Sequence, residues 1–441
     1  MGCATFDAGR GVIELSSQQR QRRAMPKQIV IIGGGVIGLC TAWYCRRAGH
    51  EVTLIERNSA VRDGCSFGNA GMIVPSHFVP LAAPGMVALG LKWMWNPASP
   101  FYIKPRLDPE LLGWGWKFLR ASTREHVDRA GPLLRDLSLA SRALFEELHQ
   151  VPGHAFGLVR NGLLMLCKTE HALREEAAMA EKGKQLGISA EVLDPDATAR
   201  IEPGVRMDVA GSVYFPGDCH LSPSRFMAGL TQLLTDDGVR MLWNTAVRGW
   251  RQTRGAIQGV ETTQGMIEGD EYVICGGSWS PSVAQGLRMK LPMQAGKGYS
   301  LTLDQPRQLP KLCAIFTEAR VAVTPMGQSL RFGGTMEIAG LDESINPVRV
   351  RGIIDAVPRY YPDFRAEDFM GVSPWRGLRP CTPDGLPYVG RTRNYANLSV
   401  ATGHGMLGLS LGPITGKLMA RIISGEATEI DLALLNPDRY A

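Results

Sequence analysis

Residues 27–32 form a short apolar run that ends in glycines, the pattern of a buried parallel strand. Residues 36–48 then repeat apolar positions at helical spacing, and Gly49 stops the helix. A second apolar run at 51–55 ends in Glu56, so the chain opens as a strand–helix–strand unit. Residues 64–102 are rich in Gly, Pro and aromatics and read as a long structured loop, a length that usually carries function. Helices are predicted near 109–120, 133–150, 171–186, 224–235, 348–360 and 413–423. Residues 156–167 read as paired strands turning at Asn161-Gly162. Short strands are expected across 241–274, residues 299–337 alternate like an antiparallel sheet, and 397–401 is a strand.

At 441 residues, two interleaved domains are expected. The ends read α/β and the middle α+β. This assigns 25–105, 195–290 and 370–441 to a discontinuous cofactor-binding domain, and 106–194 and 291–369 to a substrate-binding domain. Residues 1–24 are polar, end in the Arg20, Arg22, Arg23 cluster and lack the apolar centre of a secretory signal. Met25 directly precedes the first strand, so 1–24 is read as a disordered extension or a misplaced start. The net charge of +6 comes without a dense basic block, so no nucleic-acid partner is expected. The nine cysteines are scattered with no C-x-x-C pair, which argues against a disulfide framework or a metal site and fits a reducing cytoplasm. No apolar run reaches the roughly 20 residues of a membrane span.

The chemistry starts at Gly33-Gly34-Gly35-Val36-Ile37-Gly38, a G-x-G-x-x-G match. The first glycine makes the tight turn, the second admits a pyrophosphate, and the third lets helix and strand pack. The helix N-terminus, at Val36 and Ile37, offers unpaired N–H groups to phosphate. Glu56 is placed for a ribose hydroxyl, and it disfavours a 2′-phosphate partner for Arg57. The motif by itself does not separate FAD from NAD.

Two further turns shift the balance. An apolar strand ends in Gly276-Gly277-Ser278-Trp279, and Gly403-His404-Gly405-Met406-Leu407-Gly408 is a second G-x-G-x-x-G match. The chain ends too soon after it for another complete dinucleotide fold. The better reading is a helix N-terminus aimed at the pyrimidine edge of a flavin, where negative charge builds on reduction. One dinucleotide fold with accessory glycine turns suits a resident FAD.

Together these segments resemble the D-amino-acid oxidase superfamily, most closely the bacterial D-amino-acid and D-hydroxyproline dehydrogenases. The matching stretches include SFGNAGMIVPSHFVPLAAPGM, GKGYSLTL, RFGGTMEIAG, WRGLRPCTPDGLPYVGR and ATGHGMLGLSLGPITGKLMA. The resemblance implies an α/β fold: a Rossmann-like, GR2-type FAD-binding domain with an inserted α+β substrate domain built on an antiparallel sheet. It implies that Ser66, Asn69, Ala70, Gly71 and Met72 line the flavin loop. Val247 would offer its backbone to the adenine, and Gly276, Gly277 and Trp279 would lie near the pyrophosphate. It places Arg379 where the superfamily clamps a substrate carboxylate, a task suited to the bidentate guanidinium. Glycine oxidases of the superfamily carry an arginine where this chain has Met406. Sarcosine-oxidase-type members attach flavin through a cysteine where this chain has Gly377, so FAD is expected to be non-covalent although Cys381 is near.

The expected reaction is FAD-dependent dehydrogenation of a D-amino or D-imino acid, D-proline or cis-4-hydroxy-D-proline being favoured, by hydride transfer from Cα to flavin N5. Tyr299 and His404 are candidates for orienting the amino group, and a core role competes with each. Arg331 is a second candidate for the carboxylate, against a solvent-facing or salt-bridged strand position. His77 and Phe78 either shape the pocket or pack the loop. Residues 86–102 read either as a cap in the core, a reading Trp114 and Trp116 continue, or as a membrane, quinone or partner patch at the inner membrane. The acceptor is expected to be a quinone or an electron-transfer partner. The alternatives are an O2-using or sarcosine-type oxidase and a non-catalytic flavin subunit.

Overall fold

The computed structural model describes residues 25–88, 90 and 99–441. The 1–24 extension and the centre of the 86–102 patch lie outside the described residues.

The first sheet has six strands in the order Tyr388–Arg391, Leu398–Thr402, Glu271–Ile274, Gln28–Ile32, Glu51–Ile55, Arg240–Leu242. All pairings are parallel except that of Tyr388–Arg391. Gln28–Ile32 lies inside the sheet, and its last four residues are buried, as an uninterrupted apolar run requires. Helix Val36–Arg47 follows it and is buried along most of its length, not along one stripe. It needs that cover because helix Gly412–Ser424 packs along it. A Cβ on Gly416 would come within 2.5 Å of the Cys40 carbonyl group, so the two backbones meet with no side chain between them.

The second sheet has nine strands. Eight run in the order Trp375–Cys381, Gln294–Leu303, Ser329–Ile338, Val321–Met326, Cys313–Phe316, Leu163–Cys167, Gly211–Phe215, Glu191–Leu193, and Phe101–Ile103 pairs with Ser329–Ile338. It is antiparallel apart from Cys313–Phe316 against Leu163–Cys167 and Phe101–Ile103 against Ser329–Ile338. The strands Gly211–Phe215 and Trp375–Cys381 belong to this sheet, although the sequence reading puts both in the cofactor-binding part.

The faces of this sheet differ. One carries Leu301, Phe316, Val323 and Phe332 against helix Pro347–Tyr360. The other carries Met165, Val213, Ile315 and Ala322 against Ala70, Met72, Val74 and Phe78 of the loop after the first strand–helix–strand unit. The predicted hairpin at 156–167 is not formed. Only Leu163–Cys167 is a strand, and its partners are distant in sequence. Helix Arg124–His149 starts well before 133 and contains Pro132.

The helix-on-helix contact generates a test. Gly416→Ala must push the Gly412–Ser424 helix off the Val36–Arg47 backbone, and overpacking of this kind costs about 1–3 kcal/mol. Denaturant unfolding should show that loss, whereas alanine at the uncrowded Gly113 should cost nothing by this route.

Candidate active site

The first glycine turn is shaped by close approach. Gly33 has φ +118 and donates its N–H to the Ile55 carbonyl at 2.8 Å. A Cβ on Gly33 would overlap the Cys275 carbonyl, and one on Gly38 would overlap the Gly33 carbonyl. Gly35 caps helix Val36–Arg47, whose first turn holds no acidic residue. The Val36 N–H is already engaged by Ser66 Oγ at 3.0 Å. Glu56 reaches back across the turn and accepts from Gly34 N at 2.7 Å and Asn58 N at 2.9 Å. A carboxylate has lone pairs beyond these two bonds, so a ribose hydroxyl still finds acceptors there.

Other predicted residues converge on the same end of the sheet. Asn244 N and Thr245 N donate to the Asn58 and Glu56 carbonyls, bringing Val247 alongside. The Arg57 guanidinium lies 3.7 Å from the Trp279 ring centre, a cation–π stack joining two separate turns. Gly277 has φ +55, and Ser278 Oγ donates to the Leu378 carbonyl at 3.0 Å, tying the Gly276-Gly277 turn to the arginine-bearing strand. Arg62, which sequence reasoning missed, donates to the Gly34 carbonyl at 2.9 and 3.1 Å and lies over Trp243. Its signal in the sequence is only its nearness to Glu56 and Arg57.

The loop at 66–72, predicted to line the flavin, is held from the second sheet. Asn69 Oδ1 accepts from Gly71 N at 2.8 Å, the Gly71 carbonyl accepts from Leu221 N, and Met72 pairs with His220. Arg331 donates to the Phe67 and Asn69 carbonyls and to Thr302 Oγ1, and burial lowers its pKa to about 10. It is half-buried and pairs with no acid among the described residues. It anchors the loop and borders a cavity of about 560 Å³ with Arg62, Gly68, Ser300 and Trp375. Arg379 does not line that cavity. Trp375, also missed, fills hollows at Gly68 and Gly377 where a Cβ would overlap its ring. Farther along, Ser76 Oγ bonds Asp218 at 2.5 Å and His77 Nδ1 at 2.9 Å, and Phe78 is buried, so this stretch packs the loop.

Arg379 lies across the sheet. A Cβ on Gly298, in the adjacent strand, would overlap its guanidinium. Nη1 donates to the Thr335 carbonyl at 2.7 Å, and Nε and Nη2 have no partner among the described residues. Cys65 and Cys381 lie within reach of this charge. Burial raises both thiols nonetheless, Cys381 to about 12, so they stay protonated.

Tyr299 is not brought to this site. Alternation sends it to the opposite face from the Gly298 Cβ position, where its hydroxyl donates to Glu337 at 2.8 Å and accepts from Asn346 N. Burial, and then the Glu337 bond, raise its pKa. Lys297 is buried beside it, with Nζ 3.2 Å from Asp342 and 4.0 Å from Glu337. His404 is brought near Arg379 through the Cys381–His404 bridge. Its ring turns to Thr415 Oγ1 at 3.0 Å, and Nδ1 has no partner. Burial lowers its pKa to about 3. The second glycine motif also differs from expectation. Gly403 and Gly405 have positive φ, but the motif opens a short 3₁₀ turn, Gly405–Leu407, and the long helix begins only at Gly412. Met406 is exposed, and Leu407 packs beneath the flavin loop.

Acid sensitivity follows from the buried imidazoles. His404, His77 and His220 have folded pKa values of about 3, 4 and 4, below the ordinary 6.5, through burial. The unfolded chain therefore binds more protons, and stability is lost as pH falls below 6.5. Asp218, raised by burial to about 7, and Glu176, also raised by burial, oppose this, but His50 and His154, lowered by burial, add to the three histidines. The melting temperature should fall from pH 7 to pH 5. His404→Gln should flatten the slope, removing on the order of 2 kcal/mol of acid penalty by pH 5.

Among known proteins, the family described as FAD dependent oxidoreductase (DAO) matches residues 28–422. D-amino acid dehydrogenase of Cereibacter sphaeroides is 35% identical over 419 residues, covering 94% of this chain and 95% of that protein. The enzyme of the same name from Paramagnetospirillum magneticum is 34% identical over 423 residues, covering 94% and 99%. Glycine oxidase from Geobacillus kaustophilus has the same fold, with a TM-score of 0.76, 24% identity and coverage of 94% and 99%. L-proline dehydrogenase from P. horikoshii superposes with a TM-score of 0.73 at 17% identity, covering 94% and 98%. The glycine cradle, with no side chain where a pyrophosphate would approach, fits the dinucleotide these matches imply, and the chain belongs to the DAO family of FAD-dependent oxidoreductases.

Proposed function

We propose that the protein is an FAD-dependent dehydrogenase of D-amino or D-imino acids, with D-proline or cis-4-hydroxy-D-proline as the favoured substrate. The observation that carries the reading is Arg379, which is held by one carbonyl and has the rest of its guanidinium unpaired. A half-buried guanidinium with free N–H groups can take an anion, and a carboxylate matches its fork. The two D-amino acid dehydrogenases at 34–35% identity support a D-amino acid as the bearer of that carboxylate.

The bound flavin supplies a hydride acceptor for Cα–H. The protein's part is orientation: Arg379 would hold the carboxylate so that one Cα–H faces the cofactor. Gly33, Gly35, Val36, Ile37, Gly38, Glu56 and Arg57 would hold the dinucleotide, with Val247, Gly276, Gly277 and Trp279. Ser66, Asn69, Ala70, Gly71, Met72, Gly403, Gly405, Met406 and Leu407 would border the ring. Neutral His404 adds no competing positive charge, and no side-chain base is required if the amine binds deprotonated. The buried, protonated Cys381 and Cys65 support non-covalent FAD.

Two measurements test this. Arg379→Ala should lower kcat/KM for the preferred D-amino acid by at least 30-fold, about 2–3 kcal/mol, and Gly298→Ala should lower it by displacing the same guanidinium. A retained kcat/KM in Arg379→Ala sinks the carboxylate role. Under air, turnover should stall with bleached flavin until an artificial electron acceptor is added. Hydrogen peroxide formed in step with substrate loss would identify an oxidase instead.

A further inference from the structure

The residue that holds Arg379 has a conformation of its own to explain. Thr335 has φ +63, a left-handed backbone that a β-branched residue rarely adopts and that is stored mainly at functional sites. It sits at a bulge: Lys297 pairs with Glu337 and Tyr299 with Gly334, so Thr335 and Met336 together oppose Gly298. Gly334 and Glu337 both face the Pro347–Tyr360 side, the first against Ile353 and the second against Tyr299. Met336 lies on the other face, where it packs at Gly296 and Arg379 crosses Gly298. The bulge thus does two things. It aims the Thr335 carbonyl at Nη1, and it leaves the hydroxyl of the same residue buried without a partner. Nε and Nη2 of Arg379 are also unpaired. An unpaired buried hydroxyl is costly to leave unmade, and one on the very residue that holds a guanidinium with free N–H groups would be relieved by the same ligand, an anion with two acceptor oxygens.

We infer that Thr335 is a second ligand for the substrate carboxylate, its hydroxyl donating to an oxygen while Arg379 takes the pair from its free edge. The inference rests on the reading of Arg379 as the carboxylate clamp. It explains why a threonine, and not the glycine the backbone would prefer, occupies the bulge.

The test uses the intact flavoprotein and anaerobic titration of flavin bleaching, with D-proline and D-alanine as probes. Thr335→Val keeps the shape and removes the donor. Thr335→Gly removes the donor and also relieves the backbone, so it folds even if the valine variant does not. Both should raise the half-saturating substrate concentration by about tenfold, while Thr335→Ser stays within about threefold of the parent. The ligand-free melting temperature of Thr335→Gly should equal or exceed that of the parent, which a purely structural threonine would not allow. Parent-like titration of the valine and glycine variants, with Arg379→Ala impaired, overturns the inference and leaves the clamp standing. Parent-like titration of Arg379→Ala, or no bleaching of the parent by either probe, overturns the clamp and the inference with it.

Discussion

The Gly38 backbone lies against the Gly33 carbonyl with no room for a Cβ, and the geometry of the cofactor end follows from that contact. It lets helix Val36–Arg47 start directly over the end of Gln28–Ile32, so the unpaired N–H groups of the helix and the glycine turn share one small volume. Glu56 then reaches Gly34 N, Arg62 reaches the Gly34 carbonyl, and the Cys275 carbonyl closes on Gly33 from the next strand. The far side of this helix is covered by Gly412–Ser424 through a second glycine contact. Two backbone approaches that exclude any side chain thus set both the cradle and the helix that follows the second glycine motif.

The other half of the site is governed by strand alternation. Along Gln294–Leu303 the small residues Gly296, Gly298 and Ser300 line one face, and Lys297, Tyr299 and Leu301 line the other. The small face admits the long side chains of Arg379 and Trp375, which lie flat across it. The large face builds the core against Pro347–Tyr360 and buries the Lys297, Glu337 and Tyr299 network. That network satisfies its own charges, so it serves the sheet and not the ligand.

The parts legible in the sequence are those in which local spacing decides the outcome. Strand, glycine turn, helix and Glu56 fall within thirty residues, and the physics that arranges them acts over that span. Arg379 was legible only through the family resemblance of its segment. The hairpin at 156–167 failed because Leu163–Cys167 pairs with strands far along the chain, a choice its own pattern does not encode. The start of Arg124–His149 was missed because Pro132, normally a breaker, lies inside a helix whose packing outweighs the lost hydrogen bond. For Tyr299 the competing core role is the one the structure shows, and the reason is sharper. Its segment matched the family, but the period of two decides which face a strand residue serves, and motif position carries no parity. Arg62, Trp375 and Thr335 depend on turns and a bulge that form only when distant strands meet.

The charges around Arg379 bear on what the site selects. Cys65 and Cys381 are held protonated, and His404 is held neutral with its ring turned to Thr415. Arg331, the other arginine on this face, is committed to the Phe67 and Asn69 carbonyls. Met406 stands in the second glycine motif where glycine oxidases of the superfamily carry an arginine. On the proposed reading of Arg379, the anion would meet one free guanidinium among the described residues, with neutral donors beside it. A substrate with a single carboxylate balances that charge. On that reading, selection at the carboxylate end of the substrate would fall on charge number.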